Sequence, residues 1–232
     1  MAKNLGYKTY GELNSDDTYS YKIYCIDNYK INGNVARLNA INNFTDGFLL
    51  KPDLRITAPK SVQLNKPVLN ELEIKRYINN AYTPLENLIV IYQLDGFLRP
   101  GEFSKLKISH HDIENQKLYL DETKSGDKSV ILTPRMIEAY KKYLKYRIKP
   151  KYQVHSYYLI IIDKGTHYGL PITTNRSDLI GRYIKKIAVK GGFTKKIYSY
   201  LIKSSAITNG FNKQINPKIL QRQARHKNIE KT

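Results

Sequence analysis

The sequence predicts a mainly helical α+β fold, with a small antiparallel β-hairpin set among helices. Three observations carry this prediction. Apolar residues recur at helical spacing in several separate windows. They alternate with polar neighbours only around Leu118, Leu120, Val130 and Leu132. The chain is also large and apolar enough to bury a proper core: 232 residues, 41% hydrophobic, with nine prolines. That length allows one large domain or two small ones.

Taken in order, Ser15 with Asp16 and Asp17 reads as an N-cap and acidic first turn for a helix carrying Ile23 and Ile26. A second helical stretch, Val35 to Phe44, includes Leu38 and Ile41. These form a small helical unit over residues 1–55. The segment KPDLRITAPKSVQLNKP holds Pro52, Pro59 and Pro67 with little periodicity, so residues 56–68 are expected to be a linker.

The larger domain, 69–232, opens with a capping box at Asn70 and Glu73 and the stripe Ile74, Tyr77, Ile78 and Ala81. Thr83, Pro84 and Glu86 start the next helix, and Leu85, Leu88, Ile89 and Tyr92 fall on one of its faces. Its apolar run closes at Asp95-Gly96, so Arg99 follows a buried helix, with Pro100 and Glu102 suited to starting another. Between the two alternating runs, Ser125-Gly126-Asp127 supplies a tight turn, which sets Lys124 on the rim of the hairpin. A helix from Thr133-Pro134, the apolar run Tyr157 to Ile162, and a helix bearing Ile180, Tyr183, Ile184 and Ile187 come next. Lys190-Gly191-Gly192 ends that helix. A helix from about Ile197 to Thr208 and one begun by Asn216-Pro217 complete the order, with no internal repeat.

Thirty-nine Lys and Arg against twenty Asp and Glu leave a net charge of +19. Such an excess repels itself in a compact state and makes nucleic acid the leading partner. A solubilising surface from a lysine-rich proteome is the plainer alternative. Membrane association is disfavoured, because the run Tyr157 to Ile162 is far below a spanning length and no basic amphipathic helix stands out. Cys25 is the single cysteine, and the N-terminus has no apolar signal core. Both features fit a reducing cytoplasm.

The box Leu98-Arg99-Pro100-Gly101-Glu102, then the hairpin with Lys124, then Leu132-Thr133-Pro134 and a helix with Met136, Ile137 and Tyr140, resembles the catalytic domain of the tyrosine recombinases, the phage integrase family. The small helical unit ahead of it is similar in architecture to that family's core-binding domain, which closes with the catalytic domain around DNA. The resemblance implies a recombinase of viral or mobile-element type that acts on double-stranded DNA, associates with itself there, and needs no metal or cofactor. A complete version would form a 3′-phosphotyrosine intermediate and exchange strands through a Holliday junction.

Within that resemblance, Arg99 suits a phosphate because its planar fork contacts two oxygens, while Glu102 supports it. An Arg99–Glu102 pairing of purely structural use is the alternative. Lys124 corresponds to the lysine that protonates the leaving oxygen, or is an ordinary turn lysine. The family's His-x-x-Arg box departs here to Tyr200-Leu201-Ile202-Lys203. Lys203 would supply charge without a fork, and Tyr200 one hydrogen bond in place of histidine. Equally, Tyr200 is a core aromatic and Lys203 a surface residue. In Gln223-Ala224-Arg225-His226, His226 matches the family's Gly-His histidine, and Arg225 stands where glycine is usual.

The family nucleophile follows that motif, and no tyrosine follows Tyr200. Either the sequence is truncated, or the tyrosine comes from another polypeptide, or the protein binds DNA without cutting it. His110-His111 lacks the acidic or cysteine partners of a metal site and is expected to be structural or DNA-facing. Two further readings stay open: a non-catalytic relative acting as an architectural factor, and a basic RNA-binding protein.

Overall fold

The computed structural model describes residues 9–60, 67–121, 129–173 and 178–226, and the chain divides into two compact units, Met1–Asn65 and Lys66–Thr232. In the first, α1 (Ser15–Asn28) and α2 (Ile31–Gly47) pair. Asn14 caps α1 by accepting from the Asp17 amide at 3.0 Å, and the Asp17 carboxylate accepts from the Asn14 amide at 3.2 Å. The cap is therefore one residue earlier than Ser15.

The face of α1 that is buried also differs from expectation. Ile23 and Ile26 are exposed, whereas Cys25 packs with Leu38 and Ile56. The reason is the strand-like segment after α2. Asn42 donates its side-chain amide to the Ile56 carbonyl and accepts from the Ile56 N–H, both at 2.8 Å. One amide thus satisfies both backbone groups of a buried residue. The start of the segment expected to be a linker belongs to the core of the small unit, because Ile56 and Ala58 continue the inward alternation begun at Leu54.

The larger unit is built around α4 (Pro84–Leu94), in which every residue from Leu88 to Leu94 is buried. Thr83 caps it and Glu86 closes the box at 3.2 Å in each direction. Around α4 pack α3 (Glu71–Asn79), α6 (Pro134–Tyr146), α7 (Asp178–Lys190) and α8 (Ser199–Asn212). Buried aliphatic side chains such as Leu88 and Ile89 each contribute about 1.5–3 kcal/mol relative to exposure. A charge also lies in this interior. Glu86 is 1% exposed, and Lys190 Nζ donates to its two oxygens at 2.9 and 2.8 Å.

Three short strands, β1 (His111–Asp112), β2 (Lys117–Tyr119) and β3 (Ser129–Ile131), form an antiparallel sheet in that order. Leu118 faces Val130, both buried, while Tyr119 and Ile131 turn outward. The expected hairpin pairing is thus present, and β1 is an addition too short for alternation to betray. Residues 159–162 of the apolar run are buried in extended backbone, with single bridges Lys107 to Tyr158 and Ile161 to Pro171. No helix among the described residues is long and apolar enough to cross a membrane.

His111 is structural. Its ring stacks on Tyr140 at 4.0 Å and its Nε2 meets the Tyr92 hydroxyl at 3.0 Å. Burial pushes its pKa down to about 4, which keeps the ring neutral near pH 7. His110 is also buried, 3.4 Å from Asp121, and its pKa is lowered by that burial.

Candidate functional site

The turn that ends α4 sets the first functional side chain. Gly96 N and Leu98 N both donate to the Tyr92 carbonyl at 3.2 Å, and Phe97 between them takes a left-handed φ of 50°. Asp95, one residue earlier, is held by the Thr133 hydroxyl at 2.7 Å and by an ion pair with Arg135. Arg99 follows at the start of the short helix α5 (Pro100–Phe103).

Glu102 reaches back to Arg99 twice. Its Oε2 accepts from the Arg99 backbone N–H at 2.7 Å, and its Oε1 accepts from Arg99 Nη1 at 3.0 Å. The same Oε2 accepts from Arg225 Nη2 at 2.8 Å. One carboxylate, 10% exposed, therefore holds two guanidinium groups from opposite ends of the larger unit. The Arg99 side chain remains 39% exposed, and that of Arg225 is fully buried.

Lys203, on α8, is buried, and its Nζ donates to the Ala224 carbonyl at 2.9 Å. Its pKa falls to about 7: burial is the main cause, the charges of Arg99 and Arg225 push the same way, and Glu102 partly offsets them. Ala224 ends α9 (Pro217–Ala224), so this bond ties α8 to the residue just before Arg225. Arg225 takes φ 54° and ψ 48°, the left-handed region that glycine fills more readily. Half-buried His226 follows, its N–H donating to the Gln221 carbonyl and its carbonyl accepting from Gln221 Nε2, both at 3.1 Å.

Of the residues singled out in the sequence, Arg99, Glu102 and Lys203 come together, with His226 one residue from Arg225. Lys124 lies outside the described residues. The plainer alternative for the departing box, a core Tyr200 and a surface Lys203, is reversed: Tyr200 is 55% exposed and Lys203 is buried. Helix α8 turns Leu201, Ile202 and Lys203 inward, and Tyr200 falls on the opposite side of that face.

Sequence reasoning missed Arg225 and Gln223 as structural centres of the site. Arg225 appeared only as a departure from glycine, and nothing local marks a fully buried arginine. Among the described residues, no three His, Cys, Asp or Glu side chains gather as metal ligands would.

The described site can bind an anion. Two guanidinium groups and an amine stand around a single carboxylate, which leaves positive charge to be matched. Arg99 is the member of that group with an exposed side chain.

No curated protein matches the chain. Among solved structures, the chain is similar to XerA recombinase at 22% identity and a TM-score of 0.60, covering 98% of this chain and 80% of that one. It is similar to the Tn1549 transposon integrase in complex with transposon right end DNA at 16% identity and a TM-score of 0.71, covering 97% and 81%. A lambda integrase dimer bound to a COC′ core site gives 17% identity and a TM-score of 0.71, covering 99% and 85%. At these identities the structures establish the fold. The family model described as Phage integrase family matches residues 67–232, which takes in the arginine box, the hairpin strands and the buried lysine, and the chain therefore belongs to the phage integrase family, the tyrosine recombinases.

Proposed function

We propose that the protein is a site-specific DNA recombinase or integrase that binds duplex DNA and, with an attacking tyrosine hydroxyl, cuts and rejoins strands through a 3′-phosphotyrosine. The observation that carries this reading is the grouping of Arg99, Lys203 and Arg225 about the one carboxylate of Glu102. Two guanidinium groups and an amine that is only partly protonated near neutrality, set against one carboxylate, favour a phosphate at the exposed member, Arg99. Lys124 and His226 are assigned the further donor roles that the family resemblance gives them, and Tyr200 the outer hydrogen bond. Self-association on DNA is part of the proposal, in keeping with the lambda integrase dimer on a core site and tetramer on a Holliday junction among the similar structures.

A second reading, a relative that occupies recombination sites without cutting them, is favoured by Lys203. Its amine is engaged by the Ala224 carbonyl and offers no planar fork where the family has an arginine. Both readings require DNA.

The test is affinity for a long duplex and for structured RNA across a salt series. Duplex binding that weakens steeply with salt, with a slope near −0.9 per phosphate contacted, supports the proposal. Tighter RNA binding at every salt concentration would overturn it in favour of a basic RNA-binding protein.

A further inference from the structure

We propose that Arg225, seconded by Gln223, is a positioning residue: a buried clasp that fixes the guanidinium of Arg99 through Glu102 and holds the hairpin strand and the His226 segment in register with it. The inference rests on the reading of Arg99 as a phosphate-binding group.

Arg225 spends its fork on the arginine box. Nη1 donates to the Gly96 carbonyl at 3.1 Å and to the Gln223 carbonyl at 2.9 Å. Nη2 donates to the Phe97 carbonyl at 3.0 Å and to Glu102 Oε2 at 2.8 Å. The first and third of these partners are the residues that turn the chain from α4 towards Arg99, and the last is the carboxylate that holds Arg99 itself. A single side chain thereby fixes both the backbone approach to Arg99 and the anchor of its head group.

Gln223 performs the matching task on the sheet. Its Nε2 donates to the carbonyls of Ile131 and Asp95, and its Oε1 accepts from the Ile131 N–H, all at 2.9 Å. Ile131 lies on β3, an edge strand, so this amide occupies the place of a further strand and leaves no unpaired groups at that residue. Its second donor bond reaches the same α4 turn that Arg225 grips. Three residues, Gln223 to Arg225, thus join β3, the α4–α5 turn and, through the Ala224 carbonyl, Lys203 on α8.

The energetics favour a directed role over incidental packing. A left-handed backbone costs a non-glycine residue about 1–2 kcal/mol, and an unpaired buried guanidinium would cost more. Arg225 bears the backbone cost, and Glu102 with three carbonyls offsets the burial of its charge. Glycine would avoid the backbone cost yet could grip nothing.

The experiment is a double-mutant cycle on the full chain, with duplex affinity as the readout and circular dichroism as the check on folding. If Arg225 acts through Glu102 on Arg99, the two sites are coupled. Arg99→Ala, costing about tenfold in the natural chain, should then cost less than about threefold in an Arg225→Met background. An undiminished cost of about tenfold in the Arg225→Met background would make Arg225 a stabilising residue only and overturn the proposal. Should Arg225→Met fail to fold, Arg225→Lys serves in the same cycle, since it keeps a cation on Glu102 but has no fork for Gly96 and Phe97. Non-additivity supports the clasp there, and additivity again overturns it.

A readout that needs no DNA separates this inference from the recombinase reading. The Arg99 guanidinium N–H signals, followed by nitrogen-15 NMR, should exchange with water several-fold faster in Arg225→Lys. If they do while no variant changes DNA affinity, the clasp stands and the phosphate reading of Arg99 falls. Unchanged exchange overturns the clasp whatever happens with DNA.

Discussion

The ammonium of Lys203 donates to the carbonyl of Ala224 at 2.9 Å, which makes a buried amine on α8 the partner of the last helical residue of α9. The amine sits near neutrality in its titration, with a pKa of about 7, because it is desolvated and stands beside Arg99 and Arg225. An arriving phosphate would oppose both guanidinium charges and raise that pKa. DNA binding above neutrality should therefore take up a proton at Lys203. Below pH 7 the amine is already largely protonated, so the effect belongs to the window above about pH 7. Affinity should fall as pH rises through this window. Calorimetry in two buffers of different ionisation enthalpy should report uptake approaching one proton near pH 8, and Lys203→Met should remove it. Equal heats in the two buffers would rule out Lys203 as the linked group.

Arg99 is the exposed member of the group, and its loss should be read in DNA binding more than in stability. Glu102 keeps Arg225 when Arg99 is replaced, so no buried carboxylate is left without a cation. Arg99→Ala should lower duplex affinity by about tenfold or more and reduce the salt slope by about 0.9, the share of one phosphate. Arg99→Lys should keep most of the slope and lose part of the affinity, since charge survives and the fork does not. An unchanged slope in Arg99→Ala would mean that this arginine touches no phosphate.

His111 gives the fold a pH dependence of its own. Its folded pKa of about 4 lies below the ordinary value of 6.5, with burial as the cause. As pH falls from 6.5 towards 4 the unfolded chain binds a proton before the folded one, so stability present above pH 6.5 is progressively lost. The full loss is about 3 kcal/mol, taken over the whole window. His111→Gln should cost stability at pH 7, because the stack on Tyr140 is lost, yet show a flatter profile between pH 4 and 6.5. His110 remains in that variant and leaves a residual slope of the same sign. Denaturant melts at half-unit pH steps measure both, and an unaltered profile would place the titration elsewhere.

How far the sequence was legible depends on the range over which each feature is decided. Thr83, Pro84 and Glu86 announce α4 because capping is settled within four residues, and the bonds are found as expected. Leu118 and Val130 announce a hairpin because alternation is likewise local. Arg99 and Glu102 were legible for the same reason, being three residues apart. Arg225 was not. Its partners Gly96, Phe97 and Glu102 lie more than a hundred residues earlier, and a chain-wide positive charge makes any single arginine look like surface. Ile23 and Ile26 misled in the opposite sense, since an apolar pair does not say whether a neighbour covers it, and in the small unit Cys25 and Ile56 take that place. The reversal of Tyr200 and Lys203 has the same origin. Residue type favoured a buried aromatic and an exposed lysine, and the facing of α8 decided otherwise.

The turn between α4 and Arg99 should be intolerant of a single methyl group. A Cβ on Gly96 would stand 2.9 Å from Met136 Cε and 2.9 Å from the Tyr92 carbonyl oxygen. The methionine end can move. The carbonyl is less free, because it accepts from both Gly96 N and Leu98 N at 3.2 Å, and moving it loosens the bonds that close the turn. Gly96→Ala should therefore cost about 1–3 kcal/mol, the usual range for overpacking. It should also shift the Gly96 carbonyl that accepts from Arg225, and so weaken duplex binding. Gly101, on α5 one residue before Glu102, provides the control: a Cβ there meets nothing within 4 Å. Gly101→Ala should be neutral or stabilising by up to about 1 kcal/mol, by restricting the unfolded chain. At about 2–4 °C per kcal/mol for a unit of this size, the thermal melt of Gly96→Ala should fall while that of Gly101→Ala stays level or rises. Equal tolerance at both positions would mean that the turn can open without cost, and that Arg99 is not held where this geometry places it.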